Sequence, residues 1–107
     1  MQNPIVPIEP SFDVSILAGT KSPNTIAQYE MHFRAYLAFA GSFAAAVEPS
    51  TLARWRQELY QTGYTRADGT VHPYSVSAIN QRLAAVRSLM AEAAQQGYIP
   101  HETAEAF

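Results

Sequence analysis

The sequence predicts an all-α protein, a bundle of three main helices with one or two short ones. Three observations carry this. Apolar residues recur three or four positions apart in three separate stretches, which lines them along one face of a helix. Each stretch opens near a serine or proline suited to a helix start and closes on a glycine. Strand-like signal is confined to a short run around Asp68-Gly69.

Residues 1–21 are expected to form an arm ahead of a helical domain over 22–107. Pro4, Pro7 and Pro10 forbid a regular helix there, so the first ten residues are expected to be extended and mobile. Phe12, Val14, Ile16 and Leu17 fit a short turn that docks on the body. The first helix is expected over about 23–40, with Ser22 as its cap, Pro23 at its first position and Gly41 as its stop. Ile26, Tyr29, Phe33, Tyr36, Leu37 and Ala40 form its buried face. After a short connection over 43–48, the second helix opens near Pro49, carries Leu52, Trp55, Leu59 and Tyr60, and ends at Thr62-Gly63. Residues 64–74 fit a small hairpin or an irregular surface loop. The third helix is expected over about 76–96, capped by Ser75 and closed by Gly97. Val76, Ile79, Leu83, Val86, Met90 and Ala93 are its buried stripe. A short fourth helix follows Pro100, with Ala104, Ala106 and Phe107 as its apolar residues.

Composition narrows the function classes. The chain has 107 residues, enough for one domain with a modest core. There is no cysteine, so neither a disulfide framework nor a thiolate metal site is available. No apolar run reaches the roughly 20 residues of a membrane span. The N-terminus lacks the basic start and apolar stretch of a signal peptide, so a cytoplasmic protein with no membrane partner is expected. Seven Lys and Arg face nine Asp and Glu, a formal net charge of −2. Domains that bind DNA on their own are usually basic, because affinity comes largely from neutralised phosphates. The balance therefore argues for weak binding at most by this piece alone.

No catalytic set can be assembled. Asp13 and Asp68 lie in weakly structured segments, and His32, His72 and His101 fall in different elements without metal-ligand spacing. No glycine loop suits a phosphate, and no cofactor is implied. The polar faces are more informative. On the third helix Ser77, Asn80, Gln81, Ala84, Arg87 and Ser88 lie opposite the apolar stripe, a face free of acids. Asn and Gln can pair with adenine edges, and Arg with guanine or phosphate. The same face would also serve as a plain solvated surface. On the first helix Thr25, Gln28 and His32 make a second polar strip, with Lys21 and Asn24 just before it. A helix start favours a phosphate there, or ordinary capping. Arg82 lies nearer the buried stripe and fits an ion pair as well as a DNA contact. Arg54 and Arg56 flank Trp55, and Glu58 stands four residues after Arg54, as in a helical ion pair. Phe39 and Phe43 look exposed.

Four pieces in order then resemble the core-binding domain of tyrosine recombinases, the phage integrase family. Ser22-Pro23-Asn24-Thr25-Ile26, followed by Tyr29, Phe33, Tyr36, Leu37 and Phe39, is similar to the family's opening helix. Val47, Pro49, Ser50 and Leu52 with Gly63-Tyr64 fit the next piece. The run from Tyr74 to Leu89 resembles the family's Ser-x-x-Thr-Ile-x-x-Arg-Leu segment, and Gly97-Tyr98-Ile99 its Gly-x-Ile. The resemblance covers residues 22–107. It departs at Ala78, where the family usually has Thr, and at Pro100-His101, where Asn-Pro is common.

The resemblance implies a SAM-like orthogonal helical bundle that clamps a DNA duplex opposite a C-terminal catalytic domain. Helices equivalent to the first and third here would lie toward the major groove. The catalytic cluster and nucleophilic tyrosine belong to that other domain, so no catalytic residue is expected in this chain. The expected partners are double-stranded DNA, held weakly by this domain alone, the catalytic domain, and neighbouring recombinase protomers. Ser77, Asn80, Gln81 and Arg87 are the candidates to face the groove, and Lys21, Thr25 and Gln28 those to touch phosphate. The alternative is a helical domain that binds other proteins.

Overall fold

A computed structural model describes residues 11–107. The expected extended course of residues 1–10 lies outside the described residues. The chain begins with a 3₁₀ turn, Val14–Leu17, capped by Asp13, whose carboxylate accepts from the Ser15 amide at 2.8 Å. Hydrogen bonding from Ser15, through its side chain and then its backbone, holds the Asp13 carboxyl below its ordinary range. Helix α1 runs Pro23–Ala40. A single turn, α2, covers Phe43–Ala46, and α3 runs Pro49–Thr62. Two short strands, β1 (Tyr64–Thr65) and β2 (Val71–His72), pair antiparallel with Tyr64 opposite His72. Helix α4 spans Val76–Gln95 and α5 His101–Glu105. The helical bundle is thus as expected, with α3 and α4 as the second and third main helices.

Local chemistry sets these bounds. Ser22, Ser42 and Ser75 each accept from an amide three residues on, and so cap α1, α2 and α4. Gly41 ends α1 at φ 85°, a left-handed conformation that glycine adopts without strain. The hairpin turn is closed by Arg66 N–H donating to Thr70 O, and by Gly69 N–H donating to Arg66 O. Asp68 braces it by accepting from both the amide and the hydroxyl of Thr70.

The core is continuous. Helix α4 is its axis: Ile79, Leu83, Ala85, Val86, Leu89, Met90, Ala93 and Ala94 are buried. Phe33 and Tyr36 from α1, and Leu52, Trp55 and Leu59 from α3, pack around it. Phe12, Val14 and Leu17 complete it, so the expected docking turn is an integral layer of the core. That layer also corrects the expected exposure of Phe39 and Phe43. Both are partly buried, and Phe43 meets the Phe12 ring edge-on at 5.0 Å.

Two further expectations are corrected. Val76 belongs to no buried stripe: it is 69% exposed, because the first turn of α4 borders an open groove beside Tyr60. Arg54 makes no ion pair with Glu58, and instead its guanidinium donates to the Thr51 hydroxyl at 3.1 Å. The ion pair found among the described residues is Glu30–Arg34, at 2.7 Å. That pair has the acid first along the helix, the order that better complements the helix dipole, and the Arg54–Glu58 order does not.

Candidate nucleic-acid interface

Ser77, Asn80, Gln81, Ala84 and Arg87 are all exposed and occupy one arc of α4. The opposite arc is packed into the core, so these side chains stand outward. No acid occurs on α4 before Glu92, which accepts from Gln96 near the end of the helix. The arc is therefore polar, free of negative charge over four turns, and lined by short side chains apart from Gln81 and Arg87. Such a surface lets a helix approach closely spaced phosphates without repulsion.

The two edges of the arc differ. On the α3 side, Asn80 shares a groove of about 370 Å³ with Arg56, Gln57, Tyr60, Gln61, Val76 and Ile79. Arg56 also borders a smaller cavity next to it, with Arg87, Leu83 and Phe107. Arg87 donates through Nε to the Phe107 carbonyl at 3.2 Å, which leaves its two Nη groups for other partners. The structure thus brings Asn80, Arg87 and Arg56 onto one side of the molecule. Arg56 was legible only as part of a basic pair around Trp55. Its place four residues before Tyr60, on the α3 face that borders the groove, is the signal that separates it from Arg54.

On the other edge, α4 meets α1. Arg82 is half-buried there, its guanidinium 4.3 Å over the Tyr74 ring and one N–H donating to the Ala78 carbonyl at 2.9 Å. On α1, His32 is also half-buried. Burial, and then the positive charge of Arg82, hold the His32 imidazole below its ordinary pKa. Tyr74 lies tilted against Tyr64 at 5.2 Å, and Tyr64 stacks on His72 at 5.8 Å, which ties the hairpin to this edge. His72 continues the chain of contacts to Thr70 at 2.8 Å. The one Thr70 hydroxyl proton goes to Asp68, so His72 donates through Nε2.

The candidates at and just before the start of α1 fall into two kinds. Lys21 and Gln28 are exposed. Thr25 is half-buried and already engaged: its amide donates to the Ser22 hydroxyl, and its own hydroxyl accepts from Ser22 at 3.0 Å. Thr25 and Gln28 stand on α1 and the other set on α4, two helices in direct contact, while Lys21 precedes α1. Arg82, readable from the sequence as an ion-pair or a DNA-contact residue, is held by Tyr74 and Ala78. Its signal in the sequence was faint, because Arg82 falls on the buried side of the α4 wheel.

Among the described residues, no group of three His, Asp or Glu stands close enough to hold a metal ion. Every buried side-chain polar atom there has a hydrogen-bond partner. No described helix is long and apolar enough to cross a membrane. No curated protein and no solved structure gives a significant match to the chain. A family comparison does, over residues 14–97, and it takes in the 3₁₀ turn, α1, the α3 to α4 unit and the end of α4 that the core unites. The chain belongs to the phage integrase family and carries its N-terminal SAM-like domain, which is not the catalytic one.

Proposed function

We propose that this domain holds duplex DNA for a tyrosine site-specific recombinase, positioning it for cleavage and rejoining by a catalytic domain outside the residues described. The observation that supports this reading is the acid-free outward arc of α4, bordered by Arg56 and Arg87 on one edge and by Arg82 and the α1 strip on the other. Asn80, Gln81, Ser77 and Arg87 face the groove in this reading, and Lys21, Thr25 and Gln28 approach phosphates. Neighbouring protomers and the catalytic domain are its protein partners.

The test is a fluorescence-anisotropy titration with duplex DNA over a range of salt. Arg87→Ala combined with Asn80→Ala should weaken binding about 5- to 100-fold if the pair reads base edges. Lys21→Ala should instead weaken all sequences alike and lower the salt slope by about one. Unchanged affinity in both variants would sink the assignment.

A second reading, a helical domain that binds protein, is favoured by one feature. Tyr60 and Val76, 73% and 69% exposed, stand together in the α3–α4 groove. A Tyr60→Ser variant that keeps DNA affinity but loses self-association on DNA would assign the groove to a protomer contact.

A further inference from the structure

The groove of about 370 Å³ between α3 and the first turns of α4 has a floor and a rim of different character. Its floor sets the Tyr60 ring beside the Val76 side chain, 73% and 69% exposed. Two large apolar side chains bared together in one groove mark a contact site. Around them stand Gln57, Gln61 and Asn80, whose side-chain amides can donate hydrogen bonds, and Arg56. Among the described residues, Arg56 is the one charged group in this lining, and no acid joins it. An aromatic and aliphatic floor rimmed by N–H donors suits an extended, proline-rich segment. Such a segment offers apolar side chains and unpaired backbone carbonyls, because proline has no N–H and polyproline geometry makes no internal hydrogen bonds.

The chain carries one such sequence, Pro4-Ile5-Val6-Pro7-Ile8-Glu9-Pro10. At three residues per turn, Ile5 and Ile8 share one ridge, and Val6 and Glu9 another. Glu9 is the one charged side chain in residues 1–10, and its sign is opposite to that of Arg56. The segment joins the described fold at the wrong end for its own groove. Phe12 meets the Tyr98 ring at 5.5 Å, just past the end of α4, whereas Val76 opens that helix. From Val76 to Gln95 the helix rises about 28 Å. At full extension Ile8 reaches about 10 Å from Ser11 and Ile5 about 20 Å. The segment therefore cannot lay both isoleucines on the Tyr60–Val76 floor of its own groove. The groove of a second copy is under no such limit.

We propose that the α3–α4 groove takes residues 4–9 of a second copy of this chain. This rests on the protein-binding reading of the groove and names its partner. Ile5 and Ile8 pack on Tyr60 and Val76, the amides of Gln57, Gln61 and Asn80 donate to carbonyls of the segment, and Glu9 pairs with Arg56. Arm and groove are different surfaces, so the contact runs head to tail and passes from copy to copy, closing into a ring or continuing as a row. A contact this small is weak by itself. It takes hold where copies are already held side by side, as on one stretch of DNA, because the local concentration is then high.

The experiment titrates a synthetic peptide of residues 1–11 into the 107-residue chain and follows the groove by NMR. The Tyr60 ring, the Val76 methyls and the Asn80 side-chain amide should shift with millimolar peptide. A peptide carrying Ile5→Asp and Ile8→Asp should bind at least about tenfold more weakly. Tyr60→Ser, a change outside the core, should abolish the shifts. In sedimentation at high concentration, the Tyr60→Ser chain (arm without groove) and the Ile5→Asp, Ile8→Asp chain (groove without arm) should each stay single, and should pair when mixed. No groove shift at millimolar peptide overturns the proposal, as does an equal shift from the doubly substituted peptide. Shifts confined to another face, such as the 3₁₀ turn and α1, overturn it too. If the doubly substituted chain still self-associates through Tyr60, the protein-binding reading stands and the proposed occupant is wrong. If Tyr60→Ser alters neither self-association nor peptide binding, that reading falls and the proposal with it.

Discussion

At the scale of single residues, Tyr36 shows how a buried hydroxyl settles a local problem. Helix α2 is one turn long, so its last carbonyls lack helical partners. The Tyr36 hydroxyl donates to the Ala46 carbonyl at 2.6 Å, deep in the core. Burial drives its pKa far up, which keeps it a donor at every ordinary pH, although the positive Arg54 pulls the other way. The ring also contacts Phe33 and Trp55, at 6.3 and 5.2 Å. Tyr36→Phe keeps that packing and strands one buried acceptor. It should cost about 1–3 kcal/mol, read as a lower urea midpoint with an unchanged m-value. A neutral result would mean that water reaches Ala46. The sequence marks Tyr36 as core by its spacing from Phe33 and Ala40, but nothing in that spacing reveals the carbonyl it serves.

At the scale of elements, the joint between α3 and the hairpin depends on Gly63. Its backbone has φ 64° and ψ −152°, a region open essentially to glycine alone. A Cβ there would collide with the backbone carbonyl of His72, the residue paired with Tyr64. Gly63→Ala should therefore cost at least about 1–3 kcal/mol of backbone strain, and should loosen β2 from β1. The check is loss of the Tyr64–His72 contacts in NMR spectra alongside a lower unfolding midpoint. Wild-type contacts in a stable variant would refute this. The same contrast explains what could be read beforehand. The bounds of α1, α3 and α4 follow from Ser22, Pro49, Ser75 and the glycines after them, because caps act locally. The exposure of Val76 and the partial burial of Phe43 depend on what other segments place beside them, and no periodicity carries that. The acid-free arc of α4 was legible from spacing alone. The place of Arg56 in the α3–α4 groove and of Arg82 over Tyr74 was not, because each depends on a neighbouring segment.

At the scale of the molecule, a net charge of −2 understates how unevenly charge is placed. Acids sit at Glu9, Asp13, Glu30, Glu48, Glu58, Asp68, Glu92, Glu102 and Glu105, while the stretch from Val76 to Ala91 on α4 has none. Stability should respond to pH through particular groups more than through overall repulsion. His32 has its pKa lowered in the folded state, mainly by burial, so the unfolded chain holds the proton more tightly. Its contribution is therefore present above the ordinary value of 6.5, and is lost as pH falls through the lower folded value. Asp13 and Asp68 have lowered values too, held by bonds from Ser15 and Thr70. Their contributions are present above 3.8 and disappear at lower pH. Unfolding midpoints measured against pH at fixed ionic strength should thus fall in two separate steps. His32→Gln should remove the first and leave the second, and Asp13→Asn should reduce the second and leave the first. A single step that both variants shift alike would show that general charge repulsion governs the acid response. The first step would then have no tie to the edge where α1 meets α4.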